Sequence, residues 1–299
     1  MIRGSLTTTM TSHGILLLDK PLGITSNTAL NRAKRVLEIR KAGHTGALDP
    51  MATGLLPLCF GEATKISAWL LDADKTYLAE IRLGETTASG DAEGEVVERA
   101  EVPELDPVGV DAVLEEFRGE ILQVPPMYSA LKQKGKRLHE LARQGIEVER
   151  KPRPVSIHKL DLLELDGARL SVRVRCSKGT YIRSLAMDIG AALGCGAHLA
   201  ALRRTASGPF TVDHAVGLEA LEGMDQAEAR QLLLPADLAI QDWPAIQLSP
   251  EQARHIRHGR TILLDSGTGG LVRMYSEETF LGIGENIEGG RIQPRRLFN

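Results

Sequence analysis

Leu170-Ser171-Val172-Arg173-Val174-Arg175-Cys176 alternates without a break, with Leu, Val, Val and Cys on one side and Ser, Arg and Arg on the other. Such alternation predicts a half-exposed strand lying on a core. A few residues on, 182–193 is apolar at helical spacing and stops at Gly194, a residue that accepts the left-handed conformation closing a helix. Upstream, Gly14-Ile15-Leu16-Leu17-Leu18-Asp19 is a short apolar run stopped by Pro21 and Gly23. It reads as a buried strand, and residues 76–83 read as another. Between them Ser26 is the expected N-cap of a helix over 28–39, in which Leu30, Ala33, Val36 and Leu37 repeat at the 3.6-residue period. Residues 41–53 read as a Gly- and Thr-rich loop, 62–71 as a helix and 89–95 as a surface loop. Pro107 fits the first turn of a helix reaching Phe117. Strands separated by helices, with some strands adjacent, predict an α+β fold, a mixed α/β sheet domain with flanking helices.

The composition excludes several classes. Of 299 residues 42% are apolar and 25% charged, ordinary values for a globular chain with one large domain and a small one. No heptad or collagen period is visible, and no apolar run approaches the roughly 18 residues a membrane span requires. Residues 1–13 are rich in Thr and Ser without an apolar stretch, so they read as a frayed start, with Met10 a second candidate start, and not as a signal peptide. Cys59, Cys176 and Cys195 are odd in number and lack C-x-x-C spacing, which argues against a disulfide framework or zinc site and for a reducing cytoplasm. No phosphate-binding loop or H-E-x-x-H is present. A break near 241–250, marked by Trp243-Pro244 and Ser249-Pro250, divides an expected domain of 1–245 from a small Gly-punctuated β unit of 246–299.

The net charge of −3 hides a pattern. Residues 1–70 hold 8 basic and 4 acidic side chains, 71–125 hold 4 and 15, and 126–183 hold 14 and 6. Residues 184–240 hold 3 and 7, and the remainder 7 and 7. Two basic blocks flanking an acidic one can build a local positive face for a polyanion, or can be ordinary solvated faces. Residues 123–154, with Pro near each end and Lys132, Lys134, Lys136, Arg137, Arg143, Arg150, Lys151 and Arg153 inside, read as an insertion with a short helical stretch near 137–143.

By spacing alone, Asp49-Pro50 is the common opening of a β-turn, and an Asp there is more often a turn-former than a catalytic group. Three of the four tyrosines lie in polar, basic or Gly-flanked settings: Lys75-Thr76-Tyr77, Met127-Tyr128-Ser129 and Lys178-Gly179-Thr180-Tyr181-Ile182-Arg183. Aromatic rings beside cations can stack unpaired bases while phosphates are held, although a half-buried Tyr is common in any fold. Arg183, opening a helix beside Tyr181, is placed to pair with a carboxylate and keep it ionised.

Gly14-Ile15-Leu16-Leu17-Leu18-Asp19-Lys20-Pro21-Leu22-Gly23-Ile24-Thr25-Ser26, His44-Thr45-Gly46-Ala47-Leu48-Asp49-Pro50, Lys75-Thr76-Tyr77, Val124-Pro125-Pro126-Met127-Tyr128-Ser129-Ala130, Gly179-Thr180-Tyr181-Ile182-Arg183 and Gly196-Ala197-His198-Leu199-Ala200-Ala201-Leu202-Arg203-Arg204 occur in that order. In these segments residues 14–210 resemble the bacterial TruB-type tRNA pseudouridine synthases. The resemblance implies a central mixed, largely antiparallel sheet with flanking helices, a thumb-loop insertion at about 123–154 and a short PUA-like C-terminal domain. It implies isomerisation of a uridine at position 55, in the T-loop of tRNA, with base flipping and without cofactor or metal.

By the same resemblance, Asp49 is the catalytic nucleophile or base, acting at the ribose C1′ or at the base, and Arg183 is its partner. Tyr77 stacks on the flipped uracil, Tyr181 and Leu202 line the pocket, and His44 packs into the T-loop where the base has left. Lys20 and Lys132 are carried over as substrate-binding positions. The partner is the T-arm of tRNA; no protein partner or membrane is implied, and a monomer is expected. The neutral C-terminal piece is either an RNA contact or a small packing unit. Two rival activities stand beside this one. A tRNA-binding or folding protein would use the same surface without catalysis. A glycosidase-type hydrolase would need a second carboxylate within about 5–10 Å of the first, and the motif segments around Asp49 offer no obvious one.

Overall fold

The structure is a computed structural model describing residues 12–129, 132, 133, 135–142, 144–146, 148–264 and 269–298, with backbone only for Lys132, Gln133, Lys136, Arg137 and His139. The chain begins with β1 (Gly14–Lys20), α1 (Ser26–Leu37), β2 (Ala42–His44) and β3 (Ala52–Phe60). A 3-10 turn (Gly61–Ile66) leads to α2 (Ser67–Asp72), β4 (Lys75–Leu83), β5 (Glu85–Thr87), β6 (Val96–Arg99), α3 (Pro107–Glu115) and β7 (Gly119–Gln123). The insertion holds β8 (Lys132–Gln133), β9 (Lys136–Arg137) and α4 (Leu138–Ala142). Then come β10 (Arg153–Asp166), β11 (Arg169–Cys176), α5 (Ile182–Ala192), β12 (Ala197–Ser207), β13 (Phe210–Thr211), β14 (Val216–Gly217), α6 (Leu218–Glu222) and α7 (Gln226–Gln231). The last stretch contains β15 (Ala245–Gln247), α8 (Pro250–Arg257), β16 (Ile262–Leu263), β17 (Gly270–Ser276), β18 (Thr279–Ile287) and β19 (Arg291–Leu297).

The main sheet runs β14-β1-β3-β12-β4-β11-β10-β7, with β13 on β12 and β2 on β3. Only β1–β14 and β3–β12 pair parallel, so the sheet is mixed and largely antiparallel. β11 keeps its alternation: Leu170, Val172, Val174 and Cys176 are buried, while Arg173 and Arg175 face solvent. That apolar face packs with Ala79, Ile81 and Leu199 under α3 and α5. Each such fully buried Leu, Ile or Val contributes about 1.5–3 kcal/mol relative to exposure. Past the end of α5, Gly194 takes φ +79°. Its N–H donates to Ala191 O and that of Cys195 to Gly190 O, the paired closure that a left-handed glycine permits. A second core joins α1, α6 and α7 to β1 and β3.

The C-terminal sheet runs β15-β17-β18-β19-β16. It has its own core around α8, and Leu271, Phe280, Ile283 and Phe298 also pack on Ile66, Leu70 and Trp69 of the main body. The expected division after residue 245 falls inside β15.

Four local expectations are corrected. Helix α1 starts at Ser26, and its N-cap is Thr25, whose Oγ1 accepts from Thr28 N; the Ser26 hydroxyl has other partners. The 41–53 loop contains β2, because 42–44 adds to the edge of β3. Residues 61–66 are 3-10 before the α-helix begins. In the 89–95 loop Asp91 is buried, because Leu199 N bonds Gly90 O and Ala92 N bonds Leu199 O, laying the loop along β12. Residues 1–11, Lys134 and Arg143 lie outside the described residues. Among the described residues no helix is long and apolar enough to cross a membrane.

Candidate active site

Asp49 ends the segment between β2 and β3, and Ala52 N closes a turn onto its carbonyl at 3.0 Å. It is therefore a turn-former as spacing alone predicts, and its carboxylate is left free for other work. The turn is held from three directions. Ser26 Oγ accepts from Leu48 N at 2.7 Å and donates to Leu48 O at 3.0 Å, fixing the residue before Asp49. Gly23 N donates to Pro50 O at 2.8 Å. Lys20 Nζ donates to Pro21 O and Ile24 O at 2.8 Å and approaches Pro50 O at 3.5 Å. Lys20 is fully buried, and burial pushes its ammonium down to about 8 against the pull of Asp49 and Glu93. Its role here is to tie the β1 exit to the Asp49 turn, with no ammonium surface left for a ligand.

Arg183 enters from the first turn of α5. Its Nη2 lies 2.9 Å from Asp49 Oδ2, with the arginine side chain 7% exposed and the aspartate side chain 46% exposed. The same guanidinium reaches Asp91 Oδ2 at 3.5 Å and donates to Ser89 O and Tyr128 O at 3.3 and 2.7 Å. Asp91 is the second acid that the sequence did not reveal. It sits outside the motif segments, in a stretch that reads as loop. It is 4% exposed, and its carboxylate is engaged by Ser89 Oγ, Glu93 N and Arg183. A carboxylate so enclosed cannot itself deliver a proton or a water to a ligand. Glu93 stands exposed at the rim, its carboxyl pushed up by lost hydration and by the charges of Asp91 and Asp49.

Sheet register supplies the wall. Leu202 of β12 pairs with Ala52 of β3 and Ala79 of β4, and Arg204 pairs with Tyr77, so Leu202, Arg204, Tyr77 and Ala79 share one face. Tyr77 and Leu202 are half-buried against the α5-side core. Burial pushes the Tyr77 phenol up, opposed by the charge of Arg204. Arg204 is 1% exposed and donates to Leu55 O at 2.7 Å and Gly46 O at 3.0 Å, linking β12 to both ends of the segment that carries Asp49. β12 approaches so closely that a Cβ on Gly54, at φ +101°, would lie 2.3 Å from Arg204 O. His44 on β2 is half-buried, its Nδ1 has no hydrogen-bond partner, and burial and Arg204 push its imidazole down.

Tyr181 is the N-cap residue of α5. Its phenol is pushed up by burial, with Asp49 adding to the rise as it does for Tyr77, so the three groups share one local field. Asp49, Arg183, Tyr77, Tyr181 and Leu202 are thus gathered in one place. His44 lies beside it, near Arg204. Lys132 lies in β8, and its side chain is outside the described residues. Sequence reading missed Asp91, Ser26, Arg204 and Gln123. For Arg204 a signal exists: in Leu202-Arg203-Arg204, strand alternation puts Leu202 and Arg204 on the same face. Among the described residues no three His, Cys, Asp or Glu side chains converge to hold a metal ion. A half-open carboxylate backed by a buried cation beside an apolar and aromatic wall can act as nucleophile or base toward a planar ligand.

The profile described as "TruB family pseudouridylate synthase (N terminal domain)" matches residues 34–182. Those for "tRNA pseudouridylate synthase B C-terminal domain" and "Pseudouridine synthase II TruB, C-terminal" match 183–241 and 244–298. The fold is that of a pseudouridine synthase. More narrowly, the chain belongs to the TruB family. It is 55% identical over 284 residues to the tRNA pseudouridine synthase B of Dechloromonas aromatica, covering 95% of each chain. It is 56% identical over 285 residues to the protein of the same name from Azoarcus sp., covering 95% of this chain and 94% of the relative. In solved structures it matches a chain of "Crystal Structure of a Cbf5-Nop10-Gar1 Complex" at TM-score 0.74 and 27% identity, over 96% of this chain and 85% of that one.

Proposed function

We propose that this protein isomerises uridine to pseudouridine at position 55, in the T-loop of tRNA, with Asp49 as the reacting carboxylate. The observation that carries the reading is the 2.9 Å pair between Arg183 and Asp49, which leaves that carboxylate half open beside Tyr77 and Leu202. The relatives named tRNA pseudouridine synthase B support tRNA as the substrate.

The reaction breaks the bond from ribose C1′ to N1 of uracil and forms one from C1′ to C5; C5 loses a proton and N1 gains one, so product and substrate are isomers. Uracil must first leave its stack, at a cost of a few kcal/mol. Stacking on Tyr77, worth about 1–3 kcal/mol, offsets this, while Leu202 and Tyr181 wall the detached base so that it turns over without escaping. Asp49 acts at C1′, forming a bond as N1 leaves that breaks again when C5 attacks C1′, or takes a ribose proton in an elimination and returns it when C5 adds. Both routes use the Asp49 carboxylate, with Arg183 paired to it at 2.9 Å. His44, with its unpartnered Nδ1, is placed to fill the gap left by the flipped base, and the basic insertion holds the T-arm phosphates. The PUA-like unit, taken as 246–299, packs on the main body through its Phe280 and Phe298 face.

Incubating the wild-type protein with an unmodified tRNA transcript and mapping pseudouridine tests this reading. Pseudouridine at position 55 is the expected product. Bound but unchanged RNA would make the protein a tRNA-folding factor, and free uracil would make it a hydrolase.

A further inference from the structure

Gln123 is the last residue of β7, at the point where the basic insertion leaves the sheet. Its side chain is 2% exposed, and both halves of its amide are spent on one residue. Nε2 donates to Tyr181 O at 3.0 Å, and Oε1 accepts from Tyr181 N at 2.7 Å. A side-chain amide carries its donor and acceptor on separate atoms, so a single residue copies a β-ladder pair. Tyr181 needs such a hold. It precedes α5 in extended conformation, φ −100° and ψ 110°, without a side-chain cap. It also follows a loop in which Gly179 takes φ +80°.

Two neighbouring links run between the same two segments. Ser184 Oγ donates to Val124 O at 2.9 Å, and Arg183 Nη2 donates to Tyr128 O at 2.7 Å. The first residues of the insertion are therefore stapled to Tyr181, Arg183 and Ser184, and Arg183 holds Asp49 with the nitrogen that bonds Tyr128 O. Through Gln123, where the insertion starts and where Tyr181 and Arg183 sit are one mechanical fact.

We propose that Gln123 is a positioning residue for the isomerisation: its amide couples the base of the insertion to Tyr181 and Arg183 and so sets their register on Asp49. This rests on the roles given above to Asp49, Tyr181 and Arg183. Gln123 does not touch the substrate; it acts through the backbone of a residue that does. Misplacing a catalytic group by about 1 Å can cost on the order of 100-fold in rate, and the loss falls on the chemical step, because the phosphate-binding cations are untouched.

The test is single-turnover conversion of unmodified tRNA transcript by excess, saturating protein, reading rate constant and amplitude separately and the tRNA Kd in parallel. Gln123→Met keeps side-chain length and removes both hydrogen bonds; Ser184→Ala is a milder probe of the neighbouring link. The expected result for Gln123→Met is a rate constant lowered about 10- to 100-fold with full amplitude and Kd within a few-fold. Ser184→Ala should give a smaller loss in the same sense. A Gln123→Met protein that loses amplitude while its converting fraction keeps the wild-type rate constant would make Gln123 merely structural and overturn the proposal, as would a wild-type rate constant in both variants. Absence of conversion by the wild-type protein in the same assay would instead overturn the functional reading, and with it this assignment.

Discussion

Arg183 and Asp49 meet at 2.9 Å across the seam between α5 and the turn that opens β3, the arginine enclosed and the aspartate half open. The asymmetry separates what each side chain does. Arg183 is committed to the fold through Asp91, Ser89 O and Tyr128 O, whereas Asp49 holds one face toward solvent.

Arg183→Met should therefore lower both activity and stability. Removing the cation strands the buried Asp91 carboxylate, and breaking a buried pair from one side costs about 3–5 kcal/mol. Denaturant unfolding of the variant checks this. A loss below about 1 kcal/mol, the scale of an exposed pair, would mean that the guanidinium is not the counter-ion of Asp91.

Tyr77→Leu and Tyr77→Phe should behave differently. Leucine keeps the apolar wall but loses the stacking face, worth about 1–3 kcal/mol, so turnover should fall roughly 5- to 150-fold. Phenylalanine keeps the ring and loses only the hydroxyl, so most of the rate should survive. Single-turnover assays of both variants decide it; equal losses would assign Tyr77 to hydrogen bonding and not to stacking.

Much of this was legible in advance and some was not, for physical reasons. β11 and α5 declare themselves because each is amphipathic with one buried face and a clear period. The place of Asp49 in a turn was equally plain, but its chemistry was not, since an Asp-Pro turn has the same local signature whether or not a guanidinium arrives from a distant helix. Asp91 was hidden because only its backbone bonds to β12 bury it, and no local pattern encodes such pairing. Ser26 misled in the opposite sense. It has the N-cap residue type, but its hydroxyl is taken by Leu48, and the cap falls to Thr25.

Lys20 and Lys75 should each make stability rise with pH above neutrality, against the opposite contribution of the buried Cys59 and Cys176 thiols, which burial pushes up to about 12 and about 11. Burial pushes the Lys20 and Lys75 ammoniums down to about 8, while in the unfolded chain a lysine keeps its proton to about 10.4. Below pH 8 both states are protonated, and the folded state bears the full cost of the buried charges. Between about 8 and 10.4 these two groups release protons in the folded protein that the unfolded chain retains, so their contribution to the unfolding free energy increases with pH. Lys75→Met removes one of the two groups. Unfolding followed between about pH 7.5 and 9.5 should show a less positive slope than wild type; parallel slopes would contradict the depressed pKa of Lys75.

Replacing Lys132, Lys134, Lys136 and Arg137 together with Ala should weaken tRNA binding at moderate salt and flatten the log–log salt dependence by roughly two to four units. With the insertion read as a phosphate-binding arm, melting temperature should barely change, since solvated charges contribute little to stability. An unchanged slope would make the insertion a solvated face, and a large fall in melting temperature would place these residues in the packing.

The central claim is that the Asp49 carboxylate performs the isomerisation, and Asp49→Asn tests it most directly. The amide keeps the size and the turn but loses the charge. Position-resolved pseudouridine mapping on an unmodified tRNA transcript, with deamidation excluded by mass and binding measured on the same sample, should show wild-type conversion at position 55. The variant should bind within a few-fold of wild type and form no product. Pseudouridine made by the verified Asn variant at a rate near wild type would contradict the account.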